Sequence, residues 1–279
     1  MKLPEGFNFT QSNLKDYIDC PYRFYLKYIL GIKWPALQVD DALEFELRGK
    51  TGARFHRLVQ QYLSGIPDSR LTEIAESDPA PEMSQWWANF LADIPPRLEG
   101  QRYVETLLRT PLEGHHLLAK YDLILLRDPS RLSIYDWKTS QKRPRKAWLL
   151  EHVQTRLYRF LLTRVSSTLT KEDPIDPKEI TMNYWFANHP GAPVELDYSL
   201  DDYVNDGDFF KKLISEILDR KQEDFTRTDD LRKCKYCLYR SHCDRGIGAG
   251  DLESYETFEV EGDDFELDLD FDAIQEIEF

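Results

Sequence analysis

The sequence predicts an α/β protein with a core running β-β-β-α-β, and three observations carry that prediction. YVETLLRTPL, HHLLAKYDLILL and RLSIYDWK read as three strands, separated by turn signals at Leu112-Glu113-Gly114 and Asp128-Pro129-Ser130. A helical pattern then runs from about Pro144 to Val165. ITMNYWFAN returns to strand character. This order implies a short antiparallel meander, a crossover helix and a strand returning beside the meander.

Helical elements flank the core. SNLKDYIDCPYRFYLKYILGI reads as an amphipathic helix broken or restarted at Cys20-Pro21, because proline lacks the donor a continuous helix needs. KTGARFHRLVQQYLSG reads as a second, ended by Gly65 and Pro67. SDPAPEMSQWWANFLADIPPRLEG has prolines at both ends of a short apolar helix, which suggests a helical lobe over about 40–100. Its Trp86, Trp87 and Phe90 are expected to pack rather than to stack on bases. A further helix near Phe209 to Lys221 leads into the cysteine-rich end, and no internal repeat is present.

At 279 residues the chain can bury one substantial core. It has no apolar run of membrane-spanning length, and MKLPEGFNFTQ has no apolar signal region, so the expected location is the cytoplasm, with no membrane partner. The net charge of −14 looks hostile to nucleic acid. Thirteen acidic residues and no basic ones lie between Asp251 and Phe279, however, and without them residues 1–250 carry −1. The expected division is thus a near-neutral body over 1–250 and an acidic, disordered tail over 251–279. Within that tail, FELDLDFD alternates with strand period, which suits pairing with a sheet edge or a partner.

Four cysteines stand at Cys20, Cys234, Cys237 and Cys243, the last three spaced C-x2-C-x5-C. A disulfide does not suit a cytosolic chain. A four-thiolate zinc site and an iron–sulfur cluster both fit, and the C-x2-C knuckle does not separate them. Either centre would pin the N-terminal region to the C-terminal one, closing a loop of over two hundred residues.

The stretch IYDWKTS poses the chemical question. Asp136 and Lys138 lie two apart on a strand, so both leave one face, and Lys142, Arg143, Arg145 and Lys146 follow. Taken alone, the pair reads as an ordinary surface ion pair. Asp122 in AKYDLILL is less ordinary, because a carboxylate inside an apolar strand needs a metal or a cation beside it.

SNLKDYIDCPYRFYLKYILGI together with CKYCLYRSHC resembles the iron–sulfur nucleases of the RecB-like branch of the PD-(D/E)XK superfamily, which includes AddB-type subunits and CRISPR-associated exonucleases. The likeness covers most of residues 10–245 and implies a restriction-endonuclease-like fold. It implies a [4Fe–4S] cluster on Cys20, Cys234, Cys237 and Cys243 in preference to zinc. It implies His56 as a helical histidine within reach of a metal, Asp122 and Asp136 as carboxylates for Mg²⁺ or Mn²⁺, and the Trp137 carbonyl as a further ligand. Lys138 would serve the attacking water, with Gln154 and Tyr158, a Q-x3-Y pair on one helix face, beside it. Glu105 falls where the family often has an acidic residue, and Ala119 stands where the family usually has glycine.

The expected function is therefore a metal-dependent DNA exonuclease in repair, recombination or CRISPR adaptation, with a helicase or adaptation protein as partner. The rivals are a DNA-end-binding module that does not cleave and a zinc-stapled protein with no nucleic-acid role. The cations after Lys138 and a second group, Arg232, Lys233, Lys235, Arg240 and Arg245, are expected to meet phosphates.

Overall fold

A computed structural model of the chain describes residues 3–33, 41–128, 130–171, 174–252 and 254–255. The FELDLDFD segment and most of the acidic tail lie outside the described residues. The elements are β1 (Asn8–Phe9), α1 (Gln11–Asp19), α2 (Pro21–Phe24), α3 (Ala42–Leu63), α4 (Asp68–Glu76), α5 (Pro81–Asp93), β2 (Gln101–Leu112), β3 (His115–Asp128) and β4 (Arg131–Lys138). They continue as α6 (Lys146–Glu151), α7 (Val153–Thr170), β5 (Ile180–Phe186), β6 (Val194–Leu196), α8 (Leu200–Asp219) and α9 (Leu231–Lys235).

The meander, crossover and returning strand form as expected. β2, β3 and β4 pair antiparallel, α6 and α7 cross over, and β5 returns parallel to β4. The β2–β3 turn follows from its sequence: Glu113 and Gly114 both take positive φ, 49° and 76°, which a two-residue hairpin of this hand requires. The crossover is two helices rather than one, because His152 takes extended backbone between α6 and α7. Short β1 pairs parallel with β3, β6 extends the sheet beyond β5, and α4 adds a helix whose Leu71 and Ala75 face the core.

Each sheet face is covered by helices, as a two-faced sheet requires. On one face α1, α7 and α8 enclose Phe24, Leu117, Tyr121, Ile134, Leu161, Tyr184 and Ile214. On the other, α3 and α5 pack Phe55, Trp86, Trp87 and Phe90 against Leu123, Tyr135, Trp137 and Trp185. Trp86, Trp87 and Phe90 are therefore packing residues, and the helical region shares its core with the sheet.

α1 begins at a reciprocal cap. The Thr10 hydroxyl accepts from the Asn13 backbone, and the Asn13 side chain accepts from the Thr10 backbone. Pro21 stands in the first turn of α2, which leaves Cys20 extended in the corner between two helices, buried at 8 % exposure. α3 is longer than the sequence pattern suggests, starting at Ala42 behind an Asp41 cap. Leu252 and Tyr255 are buried in a small cluster with Tyr236 and Phe45.

Candidate active site and thiol cavity

β3 shares one edge between two partners: β4 pairs with it from Asp128 to Leu123, and β1 pairs with it at His116 and Leu117. Just past Leu123↔Tyr135, Asp122 and Asp136 come level on neighbouring strands. There the Asp122 side chain takes over the role of a ladder acceptor, receiving the Trp137 backbone N–H at 2.9 Å.

The alternation of β3 also slips at this point. Leu117, Ala119 and Tyr121 face one core, whereas Leu123 and Leu125 face the other. On β2 the neighbouring Glu105 takes φ 49°, uncommon for a residue with a side chain, while the register on either side is unchanged. Such a conformation costs roughly 1–3 kcal/mol and tends to gather at functional sites. The slip turns Asp122 toward α3, where the His56 Nδ1 lies 3.5 Å from its Oδ2.

Burial alone would hold the His56 imidazole below its ordinary value, but the carboxylates of Asp122, Asp136 and Glu105, Asp122 foremost, together outweigh burial and raise it. Burial pushes Asp122 upward in turn, and His56 with the Trp137 N–H brings it below the usual carboxylate range. Glu105 is pushed up by burial and by the Asp122 charge, against the opposing Lys120 ammonium 2.6 Å away.

Asp136 and Lys138 do meet on one face. Lys138 Nζ lies 2.9 Å from Asp136 Oδ1 and donates to Gln154 Oε1 at 3.0 Å. Gln154 Nε2 donates to Asp136 Oδ2 at 2.8 Å, closing a three-membered ring of contacts. With Asp136 at 4 % exposure and Gln154 at 1 %, this is not a solvated surface ion pair. Tyr158, one turn along α7 from Gln154, donates its hydroxyl to the Lys120 carbonyl at 2.8 Å. Two neighbours escaped sequence reasoning: the Tyr184 hydroxyl reaches Gln154 Oε1 at 3.2 Å and Thr155 Oγ1 at 2.8 Å. Only the β4–β5 register, which sets Asp136 level with Tyr184, reveals the tyrosine.

The basic stretch after Lys138 has three exposed cations, Arg143 and Arg145 in the loop and Lys146 at the start of α6. Its start is pinned by Asn188, whose amide donates to the Thr139 and Ser140 carbonyls, while Asn188 Oδ1 accepts from the Trp86 indole at 2.8 Å. Helix α5 thereby fixes the chain where it leaves β4.

The donor chemistry suits a divalent cation. Asp122 and Asp136 offer hard oxygens from adjacent strands, His56 stands beside them, and the Lys138 ammonium already neutralises Asp136. Among the described residues, no three His, Cys, Asp or Glu side chains are arranged tightly enough to enclose an ion as they stand.

The four cysteines converge although Cys20 lies over two hundred positions from the others. All four are buried free thiols lining one cavity. The cavity is also lined by Arg23, Arg227, Lys233, Arg240 and Arg245 and, among the described residues, by no acidic side chain. Four soft donors ringed by cations suit an anionic tetrathiolate centre, and that chemistry is common to zinc and iron–sulfur. The second basic group is therefore largely committed inward: Lys233 pairs with Asp19 at 2.6 Å, and Arg245 donates to the Thr228 carbonyl at 2.6 Å. Arg232 pairs with Asp230 at 2.8 Å.

No helix among the described residues is long and apolar enough to cross a membrane. Two solved structures are similar in outline. One is an exonuclease candidate from Eubacterium rectale, at TM-score 0.47 and 10 % identity over 76 % of this chain and 80 % of that one. The other is SSO0001, at TM-score 0.35 and 15 % identity over 88 % of this chain and 90 % of that one. Likenesses of this size do not bear on activity. No curated protein matches the chain in sequence. The family model of the PD-(D/E)XK nuclease superfamily matches residues 8–244, which takes in both sheet edges, the carboxylate site and all four cysteines, and the chain belongs to that superfamily.

Proposed function

We propose that this protein is a metal-dependent DNA nuclease acting from DNA ends, with a structural [4Fe–4S] cluster on Cys20, Cys234, Cys237 and Cys243. One observation carries the catalytic part: Asp122, Asp136, Lys138 and Gln154, from two strands and a helix, meet where the β3–β4 ladder ends.

Asp122 and Asp136 would hold Mg²⁺ or Mn²⁺, with His56 next to Asp122. When bound, the cation supplies Lewis-acid stabilisation of charge growing on the phosphate. Lys138, held by Gln154, orients the attacking water and donates to a phosphate oxygen in the transition state. Water oxygen bonds to phosphorus, the phosphorus–oxygen ester bond breaks, and the proton lost by water balances the leaving alkoxide. Arg143, Arg145 and Lys146 meet the flanking phosphates. The cation lining of the thiol cavity and the belonging to this superfamily support the cluster over four unrelated thiols.

The test is an anaerobic cleavage assay on end-labelled single- and double-stranded DNA, in Mg²⁺ and in Mn²⁺. Stepwise release of labelled nucleotides is the expected result. Tight DNA binding with no cleavage in either metal would leave the non-cleaving end-binding reading in its place.

A further inference from the structure

We infer that Tyr184 is a positioning residue for the cleavage step, acting through Gln154 on Lys138 and Asp136. The inference rests on the nuclease reading above and deepens it.

Tyr184 is fully buried in β5, level with Asp136 in the β4–β5 register. Its hydroxyl lies between two acceptor-capable oxygens, Thr155 Oγ1 at 2.8 Å and Gln154 Oε1 at 3.2 Å. Gln154 is thereby held at both ends of its amide. Its oxygen receives Lys138 Nζ at 3.0 Å as well as the tyrosine, and its nitrogen donates to Asp136 Oδ2 at 2.8 Å.

The chemistry fixes which end faces which partner. An ammonium only donates and an ionised carboxylate only accepts, so the amide oxygen must face Lys138 and the nitrogen must face Asp136. Those two contacts define the amide's orientation but leave its plane free to rock as Lys138 moves. The tyrosine hydroxyl, itself anchored on α7 through Thr155, adds a contact that does not depend on either charged partner. When substrate draws the Lys138 ammonium toward a phosphate, Tyr184 keeps Gln154 Oε1 in place and limits that travel. The ring contributes separately, with Lys138 Nζ 5.5 Å from its centroid. Positioning errors of this kind appear in the chemical step rather than in binding, because the reacting geometry is what they change.

The test is a double-mutant cycle on the full chain, read by single-turnover cleavage and by DNA affinity in Ca²⁺. Tyr184→Phe keeps the buried ring and removes the hydroxyl. Its cleavage rate is expected to fall about tenfold with DNA affinity unchanged. In the Gln154→Ala background the same change is expected to have almost no further effect, since the amide it acts through is gone. A purely structural role would give the same loss in both backgrounds. Thr155→Val removes only the outer end of the chain and serves if Tyr184→Phe folds poorly; it is expected to lose two- to threefold, again only when Gln154 is present. Wild-type cleavage by Tyr184→Phe, or a full additional loss in the Gln154→Ala background, overturns the inference while leaving the nuclease reading intact. An inactive wild-type protein overturns that reading, and the inference with it.

Discussion

The backbone N–H of Trp137 donates to the side chain of Asp122, 2.9 Å away, where a continuous sheet would offer a main-chain carbonyl. A carboxylate that completes a ladder has two duties, and they come apart on mutation. Asp122→Asn keeps an oxygen for the Trp137 N–H and should melt near the wild-type temperature, yet lose cleavage by a hundredfold or more. Asp122→Ala should lose cleavage as fully and also about 1–3 kcal/mol of stability, because a buried donor is left without a partner. Equal melting of the two variants would show that the Trp137 bond carries no stability.

Lys138 and Asp136 touch, but their substitutions should behave differently. Asp136→Ala removes a carboxylate proposed to hold the metal and should abolish the rise in melting temperature on adding Mn²⁺. Lys138→Ala should retain that rise and bind DNA in Ca²⁺ while losing cleavage by about a hundredfold, the usual scale for one transition-state contact. Single-turnover cleavage by Lys138→Ala at the wild-type rate would return the pair to a structural ion pair.

Gly52 lets α3 pass close to the end of β4. A Cβ built there would stand 2.8 Å from the Thr139 hydroxyl, one helical turn before His56. Gly52→Ala should therefore displace α3 and lower cleavage several-fold. Adding Thr139→Ala should recover most of the loss, a coupling that a mere change in helix propensity would not produce.

Arg54 and Asp78 join α3 to the turn before α5 through two parallel contacts, of 2.7 and 2.9 Å. The hydrogen bonds from Arg54 hold the Asp78 carboxyl below its usual range, and burial opposes them only in part. A carboxyl lowered in the folded state adds stability above its unfolded value, near pH 4, and loses it as pH falls through the lower folded value. Asp78→Asn should thus destabilise by about 1 kcal/mol at pH 7, since the Arg54 side chain is 41 % exposed and solvent screens the pair. Denaturant midpoints of the two proteins should converge below about pH 4. A difference that does not shrink as pH falls below about 4 would assign the effect to packing.

Cys20 lines the thiol cavity from the other end of the chain. Cys20→Ala should bleach the brown colour expected of a [4Fe–4S] cluster and lower folded stability, although Cys20 is remote in sequence from the carboxylates. Metal analysis of anaerobic protein should find iron. Stoichiometric zinc without iron would replace the cluster with a zinc staple.

Much of this was legible in the chain itself. The change from helical to strand period after Gly100, the Glu113-Gly114 turn, Pro21 as the breaker beside Cys20, and Asp136 and Lys138 on one face all follow from local sterics and periodicity. Local rules act over a few residues, so the sequence states them directly. What the fold alone decided lies between elements. The reversal of facing at Asp122, the positive φ of Glu105 and Tyr184 level with Asp136 need a register, and register is set by burying two opposite faces at once. The meeting of Cys20 and Arg23 with the downstream thiols needs the two ends of the chain to pack together. Asp122 illustrates the boundary: its oddity in an apolar strand was visible in the sequence, but its bond to Trp137 exists only because the ladder between β3 and β4 stops one residue earlier.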